Sequence, residues 1–161
     1  MTAFETLVDQ STPSVYRLAR ALVGEAGAAD VVQEVFLAVW RELPRLRDPE
    51  RFGPWLHRIA VNRCRSVLRV RGRVRELPLD DAPIDRMAEQ ADFRVKVEAR
   101  AVVEPAFRSL SDDQRALIAL HYAAGMSIRE VALTLDIREG TAKSRLNAAL
   151  EALRRSVGGR Q

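Results

Sequence analysis

Thr141, Lys143, Ser144, Arg145 and Asn147 crowd one short stretch, and their chemistry is to hold hydrogen bonds rather than to break covalent ones. Lysine and arginine here suit phosphates and guanine edges, and serine and asparagine bond either backbone or base. They sit within Ser127–Leu153, SIREVALTLDIREGTAKSRLNAALEAL. Ile128, Val131, Ala132 and Leu135 recur at i, i+3, i+4 and i+7, which predicts a short amphipathic helix over about Ser127 to Leu135. Ser127 with Glu130 three residues on forms a capping box at its start. Asp136-Ile137-Arg138 is long enough only for a turn, and a second helix from about Glu139 buries Ala142, Leu146, Ala149, Leu150 and Leu153. This spacing fits a helix-turn-helix, whose second helix enters the DNA major groove. It fits equally a plain helical hairpin with a solvated polar face.

Other chemistry finds little support. His57 and His121 are far apart, each on a predicted helix, with no metal-ligand spacing. His57 beside Arg58 reads as surface, and His121 beside Tyr122 as packing. Neither a glycine-rich phosphate loop nor a nucleophile motif is present, so no enzyme activity, cofactor or metal is expected. The single cysteine, Cys64, excludes an internal disulfide and reads as a small packing residue.

The 161 residues allow one ordinary domain or two small ones, and 47% apolar with 30% charged residues is a globular composition. The longest apolar runs fall short of a membrane span. The start, MTAFETLVDQ, is acidic where a signal peptide is basic, so a cytoplasmic location is expected. The net charge is only +4, but Arg63, Arg65, Arg69, Arg71, Arg73 and Arg75 cluster in one stretch. Such a cluster is an electrostatic footprint for nucleic acid or a solvated face.

Taken in order, a helix is expected from Ala3 to Val23, kinked or split at Pro13 and ended by Gly24. A second, from about Ala28 to Leu43, carries the apolar stripe Val31, Val32, Val35, Phe36, Val39, Trp40 and Leu43. Asp30, Gln33, Glu34, Leu37 and Arg41 lie outside that stripe; Leu37 is either an ordinary exposed leucine or a partner contact. Arg45 to Glu50 is a loop with turn chemistry at Asp48-Pro49, and a third helix runs from about Arg51 or Phe52 to Arg71, closed by Gly72. Trp55 on its apolar face is expected to be buried, so that truncation to alanine costs about 3–5 kcal/mol. Arg73 to about Asp92 has two prolines, paired aspartates and no sustained stripe, which predicts an acidic flexible linker. Helical pattern resumes from about Phe93 to Ser109, and Ser111 with Gln114 caps a helix that Gly125 closes. Strand alternation is nowhere evident. The expectation is an all-α chain of two small helical domains, 1–75 and 95–161, joined by a linker at 76–94.

Four segments resemble bacterial sigma factors of the sigma-70 family, in particular the small extracytoplasmic-function group. Asp30-Val-Val-Gln-Glu-Val-Phe-Leu-Ala-Val-Trp40 is similar to the family's DxVQEVFLxxW helix, and Phe52-Gly-Pro-Trp-Leu-His-Arg-Ile-Ala-Val-Asn62 to its FxxWLxRIAxN segment. Gly125-Met-Ser-Ile-Arg-Glu-Val-Ala resembles GLSxxEIA, and Gly140-Thr-Ala-Lys-Ser-Arg145 resembles GTVKSR. Where many members have aspartate four residues after the asparagine, this chain has Ser66.

The resemblance implies a region 2-like helical bundle, a region 4-like helix-turn-helix, and specific roles. Asp30, Gln33, Glu34, Leu37 and Arg41 would dock on the clamp helices of the core RNA polymerase β′ subunit. The loop from Arg45 to Phe52, with Arg47 and Asp48, would capture a flipped base of the −10 promoter element, and Asn62, Arg63, Arg65 and Arg69 would hold the melted strand. Arg138, Glu139, Thr141, Lys143, Ser144 and Arg145 would read the −35 element as duplex. The implied partners are core polymerase, including its β flap, promoter DNA and an anti-sigma factor. The alternative from the residues alone is a free-standing helix-turn-helix regulator.

Overall fold

The computed structural model describes residues 1–73 and 102–159. The expected linker at 76–94, both of its boundaries, and Arg75 lie outside the described residues. Every regular element among them is helical, in two units.

The first unit holds α1 (Ala3–Val23), α2 (Glu25–Glu42) and α3 (Phe52–Arg73), with 3-10 turns at Leu43–Arg45 and Pro49–Arg51 between the last two. A capping box opens α1: Thr2 Oγ1 accepts from Glu5 N at 3.2 Å, and Thr2 N donates to Glu5 Oε2 at 2.6 Å. The helix then runs unbroken through Pro13, against the expected interruption. The hydroxyls beside the proline bond back to the helix, Thr12 donating to Val8 O at 2.7 Å and Ser14 to Ser11 O at 3.1 Å. Gly24 ends α1 as expected. Its φ of 90° is open to glycine and strained for other residues, and it lets α2 begin at the next residue, earlier than the expected Ala28.

Apolar faces of the three helices meet in a core that includes Val15, Leu18, Val31, Val35, Val39, Leu56, Ala60 and Cys64. Three side chains depart from expectation. Trp40 is 63% exposed, because the stripe on α2 is wider than α1 and α3 together cover. Trp55 is half-buried, tilted against Phe52 with ring centroids 5.9 Å apart, while its neighbour Leu56 is fully enclosed. His57 is buried at 7% exposure, with Nδ1 2.8 Å from Gly53 O and Nε2 3.1 Å from Ser14 Oγ. A ring proton on Nδ1 serves Gly53 O, and the single Ser14 hydroxyl proton serves either Nε2 or Ser11 O.

Burial lowers the His57 pKa below 6.5; the Gly53 carbonyl and Glu130 oppose this, and Arg17 adds to it. The unfolded chain therefore takes up a proton near pH 6.5 that the folded chain refuses. His57's contribution to stability is complete above that pH and is lost as pH falls through the window below it. Urea midpoints measured at pH 7.5 and 5.5 should show a drop on acidification that shrinks in His57→Gln; an equal drop in both proteins removes this account.

The second unit begins with a helical segment over 102–108 (α4), followed by α5 (Asp112–Ile118), α6 (Ile128–Leu135) and α7 (Glu139–Gly158). Ser111 caps α5 through the expected box with Gln114. The helical path continues as a π segment over Ala119–Ala123, and Gly125, at φ 74°, turns the chain toward α6. Leu117, Ile118, Leu120, Met126, Val131, Leu146, Ala149 and Leu153 form the centre of this unit.

The two units pack on each other, and their buried side chains form one continuous cluster. Arg17 Nε donates to Ala123 O at 2.9 Å, and Arg58 reaches the end of α6, Nε to Thr134 O at 2.9 Å and Nη2 to Leu133 O at 3.0 Å. Arg65 Nη2 lies 2.8 Å from Asp113 Oδ1.

Candidate nucleic-acid interface

The sequence between α6 and α7 sets the geometry of the polar helix face. Ser127 Oγ accepts from Glu130 N at 3.1 Å, and Ser127 N donates to Glu130 Oε2 at 2.7 Å, so the expected capping box fixes the start of α6. Thr134 is buried and its hydroxyl donates to Glu130 O at 2.8 Å, so its own polar group is satisfied. Asp136 takes the left-handed conformation, φ 55° and ψ 49°, which an aspartate tolerates better than most residues. That residue reverses the chain, and Arg138 enters α7 in extended conformation.

On α7, Ala142, Leu146, Ala149 and Leu153 are buried, so the opposite face is held outward. Arg138, Glu139, Lys143, Ser144, Arg145 and Asn147 are exposed, and Thr141 is half-buried. Among the described residues Arg138, Lys143 and Arg145 enter no ion pair. Arg138 makes no side-chain cap on the helix start, so backbone N–H groups of the first turn and three cations share one open face. Such a face accepts phosphates at its helix start and base edges along its length.

The α3 face is different. Asn62 is exposed, Arg69 Nη2 donates to Ser66 Oγ at 3.2 Å, and both line a cleft of about 370 Å³ with Arg65, Ser66 and Asp112. Arg65 is paired across the cleft with Asp113, and Arg63 with Glu34 of α2 at 3.1 Å. Arg71 leaves the cluster altogether: its Nη1 donates to Val23 O at 2.5 Å, capping the end of α1. Gly27 makes room for this, since a Cβ there would lie 2.5 Å from Arg71 Nη2. The arginine run is thus divided between a face and a structural cap, which composition did not distinguish. Arg47 and Asp48 are exposed on the loop before α3, where Asp48 Oδ1 accepts from Glu50 N at 3.0 Å and so shapes the turn.

Asp30, Gln33, Glu34, Leu37 and Arg41 are all exposed on α2. Gln33 and Leu37 border an apolar groove of about 590 Å³ that also takes in Phe4, Val8, Phe36 and Trp40. Trp40 meets Phe4 edge-on at 4.8 Å. Sequence reading placed Trp40 in the core and so missed this groove; the signal was the width of the stripe, too broad for one buried face. Among the described residues no cluster of metal-ligating side chains occurs, and no helix is long and apolar enough to cross a membrane.

Fold and polar face together define a two-unit, all-helical helix-turn-helix protein. Residues 7–74 match the family model for Sigma-70 region 2, and residues 102–153 that for Sigma-70, region 4. The chain is 31% identical to the ECF RNA polymerase sigma-E factor of Escherichia coli, an alignment covering 96% of this chain and 86% of that one. It is 35% identical to the ECF RNA polymerase sigma factor SigE of Mycolicibacterium smegmatis over 96% of its own length, and spans 61% of the length of that relative. Among solved structures it resembles CnrH in complex with the cytosolic domain of CnrY, with a TM-score of 0.73 and 27% identity, covering 99% of this chain and 90% of that one. The fold is also that of RpoE from Bartonella quintana, solved in complex with the anti-sigma factor NepR, with a TM-score of 0.75, 24% identity and 98% of each chain covered. The chain belongs to the extracytoplasmic-function group of the sigma-70 family of RNA polymerase sigma factors.

Proposed function

We propose that this chain is a cytoplasmic promoter-specificity subunit, itself without catalytic activity, that binds core RNA polymerase and directs it to a particular set of promoters. The observation that carries the reading is the open cationic face of α7 in the same chain as a second unit with its own Asn62 and arginine face.

In this reading α7 reads the −35 element as duplex. Lys143 and Arg138 meet phosphates, Arg145 a guanine edge, and Glu139, Thr141 and Ser144 the neighbouring polar edges. Arg47 and Asp48 belong to the loop that receives a flipped −10 base, while Asn62, Arg63, Arg65 and Arg69 hold the melted strand. Flipping a base costs a few kcal/mol, and a pocket that repays this for one base alone turns the cost into selectivity. Asp30, Gln33, Glu34, Leu37 and Arg41 dock on the β′ clamp helices of polymerase. The Glu34–Arg63 pair bridges the docking face and the strand-holding face. The second unit additionally approaches the β flap. An anti-sigma factor is the expected antagonist, since two of the similar structures were solved with such partners or a cytosolic domain bound.

The test is transcription by core polymerase supplied with this protein on genomic DNA. Discrete start sites sharing −10 and −35 sequences are expected; absence of initiation at every site overturns the reading. Asn62→Ala should lower open-complex formation roughly tenfold, about 1.4 kcal/mol, the worth of one charge-free hydrogen-bonding side chain. Its −35 binding should be unchanged, as read by permanganate reactivity beside duplex protection. A free-standing regulator would instead protect duplex DNA strongly without polymerase.

A further inference from the structure

The structure assigns Ser66 to the strand-holding face of α3: its hydroxyl, with the Arg69 guanidinium that it braces, forms a seat for one backbone phosphate of the melted strand. The inference rests on the strand-holding role proposed above for α3. It adds to that face a residue at which this chain departs from the family pattern.

Helix geometry brings the parts together. Asn62, Arg65, Ser66 and Arg69 stand at i, i+3, i+4 and i+7, so they share one side of α3 over about two turns, roughly 10 Å. Ala60 and Cys64 on the opposite side are enclosed in the core, which turns this side outward. The four side chains line the same cleft of about 370 Å³. Within it Arg69 Nη2 donates to Ser66 Oγ at 3.2 Å.

A serine hydroxyl carries one proton and two lone pairs. Ser66 uses a lone pair to accept from Arg69, and among the described residues its proton has no acceptor. Arg69 is exposed and, among the same residues, enters no ion pair. A neutral acceptor thus fixes the guanidinium without cancelling its charge. The result is an O–H donor beside a cation with further N–H groups, and the Asn62 amide stands one turn away. Such a set of donors takes the oxygens of an anion.

The residue type at 66 decides the sign of the seat. None of the 22 residues of α3 is an aspartate or a glutamate. A carboxylate at 66 would be the sole one on the helix, placed to pair with Arg69 at i, i+3 and to repel an arriving phosphate. The carboxylates nearest the cleft, on α5, are already engaged, Asp113 by Arg65 and Asp112 by Arg115. Serine therefore keeps the Arg69 cation both held and available.

The test uses the complex of core polymerase with the full chain on a promoter fragment whose −10 region is kept open by non-complementary strands. Affinity is measured by competition at several salt concentrations. Ser66→Ala should weaken binding roughly three- to tenfold, the range of one hydrogen bond, with the salt slope unchanged because no charge is removed. Ser66→Asp should weaken it by more than about tenfold and make the slope of log affinity against log salt shallower by about 0.7, the share of one single-strand phosphate. Ser66→Thr keeps the hydroxyl and should bind as the parent does. In an Arg69→Ala background Ser66→Asp should leave the slope where Arg69→Ala alone puts it. Thermal unfolding and −35 duplex protection should match the parent in each Ser66 variant, which separates a lost strand contact from a damaged helix. Parent-like binding by Ser66→Ala, or equal losses in Ser66→Ala and Ser66→Thr, overturns the hydroxyl contact. An unchanged slope in Ser66→Asp overturns Arg69 as the braced cation. Either failure is distinct from failure of the promoter-specificity reading, which the genomic transcription assay tests with the parent chain alone.

Discussion

Arg145→Ala is expected to lower discrimination between a promoter and the same promoter substituted at −35 by about 5- to 150-fold, the 1–3 kcal/mol that one bidentate arginine–guanine contact supplies. The reason lies in the division of α7. Ala142, Leu146, Ala149 and Leu153 fix the helix against α5 and α6, so removing an exposed side chain from the other face leaves the scaffold in place. Thermal stability should therefore be unchanged while selection is lost. Lys143→Ala should differ in kind: a phosphate contact removed weakens binding to all sequences alike and reduces the salt slope by about one. Abortive transcription from matched and substituted promoters at two salt concentrations separates the two effects. If Arg145→Ala discriminates as well as the parent, the reading face of α7 is not where its exposed cations place it.

Leu56→Ala is expected to destabilise the first unit by about 2–5 kcal/mol, as truncation of an enclosed leucine does when the surroundings cannot collapse. Leu56 is 1% exposed within the core cluster, and its truncation removes contacts that no other side chain replaces without repacking. Trp55→Ala, which sequence pattern alone marks as the costlier change, should cost less than Leu56→Ala. Half of that indole already meets water, and Phe52 is its main aromatic neighbour. Denaturant unfolding of the two variants side by side gives the order directly, and a larger loss for Trp55→Ala would mean that the packing around α3 has been misassigned.

Features set by neighbours in the chain were legible in advance. The capping boxes at Ser111 and Ser127, the stops at Gly24 and Gly125 and the turn at Asp136 each depend on a few consecutive residues. The polar and apolar faces of α7 follow from a period of 3.6 residues and emerge as expected. Periodicity names a face but not what covers it. Trp40 lies on the apolar side of α2 yet stays largely exposed, touching α1 through the Phe4 ring, and His57 is enclosed although the next residue, Arg58, is exposed. The long arginine side chains were least legible. Arg71 caps α1, Arg63 pairs with Glu34, and Arg58 and Arg65 bridge the units, choices made by distant backbone and carboxylates. Pro13 is a further lesson, since the helix runs through it where propensity predicts a break.

Cys64 bears on how a signal can reach this protein. It is the sole cysteine in the sequence, it is fully enclosed, and burial pushes its thiol up to about 12. At neutral pH the enclosed thiol stays protonated, and the reactive form is the thiolate. The Cys64 thiol is therefore not placed to act as a redox switch in the folded chain. A thiol-based oxidative cue must be sensed on another molecule and delivered here as a change in binding, which makes the protein a receiver of thiol redox information rather than a detector of it.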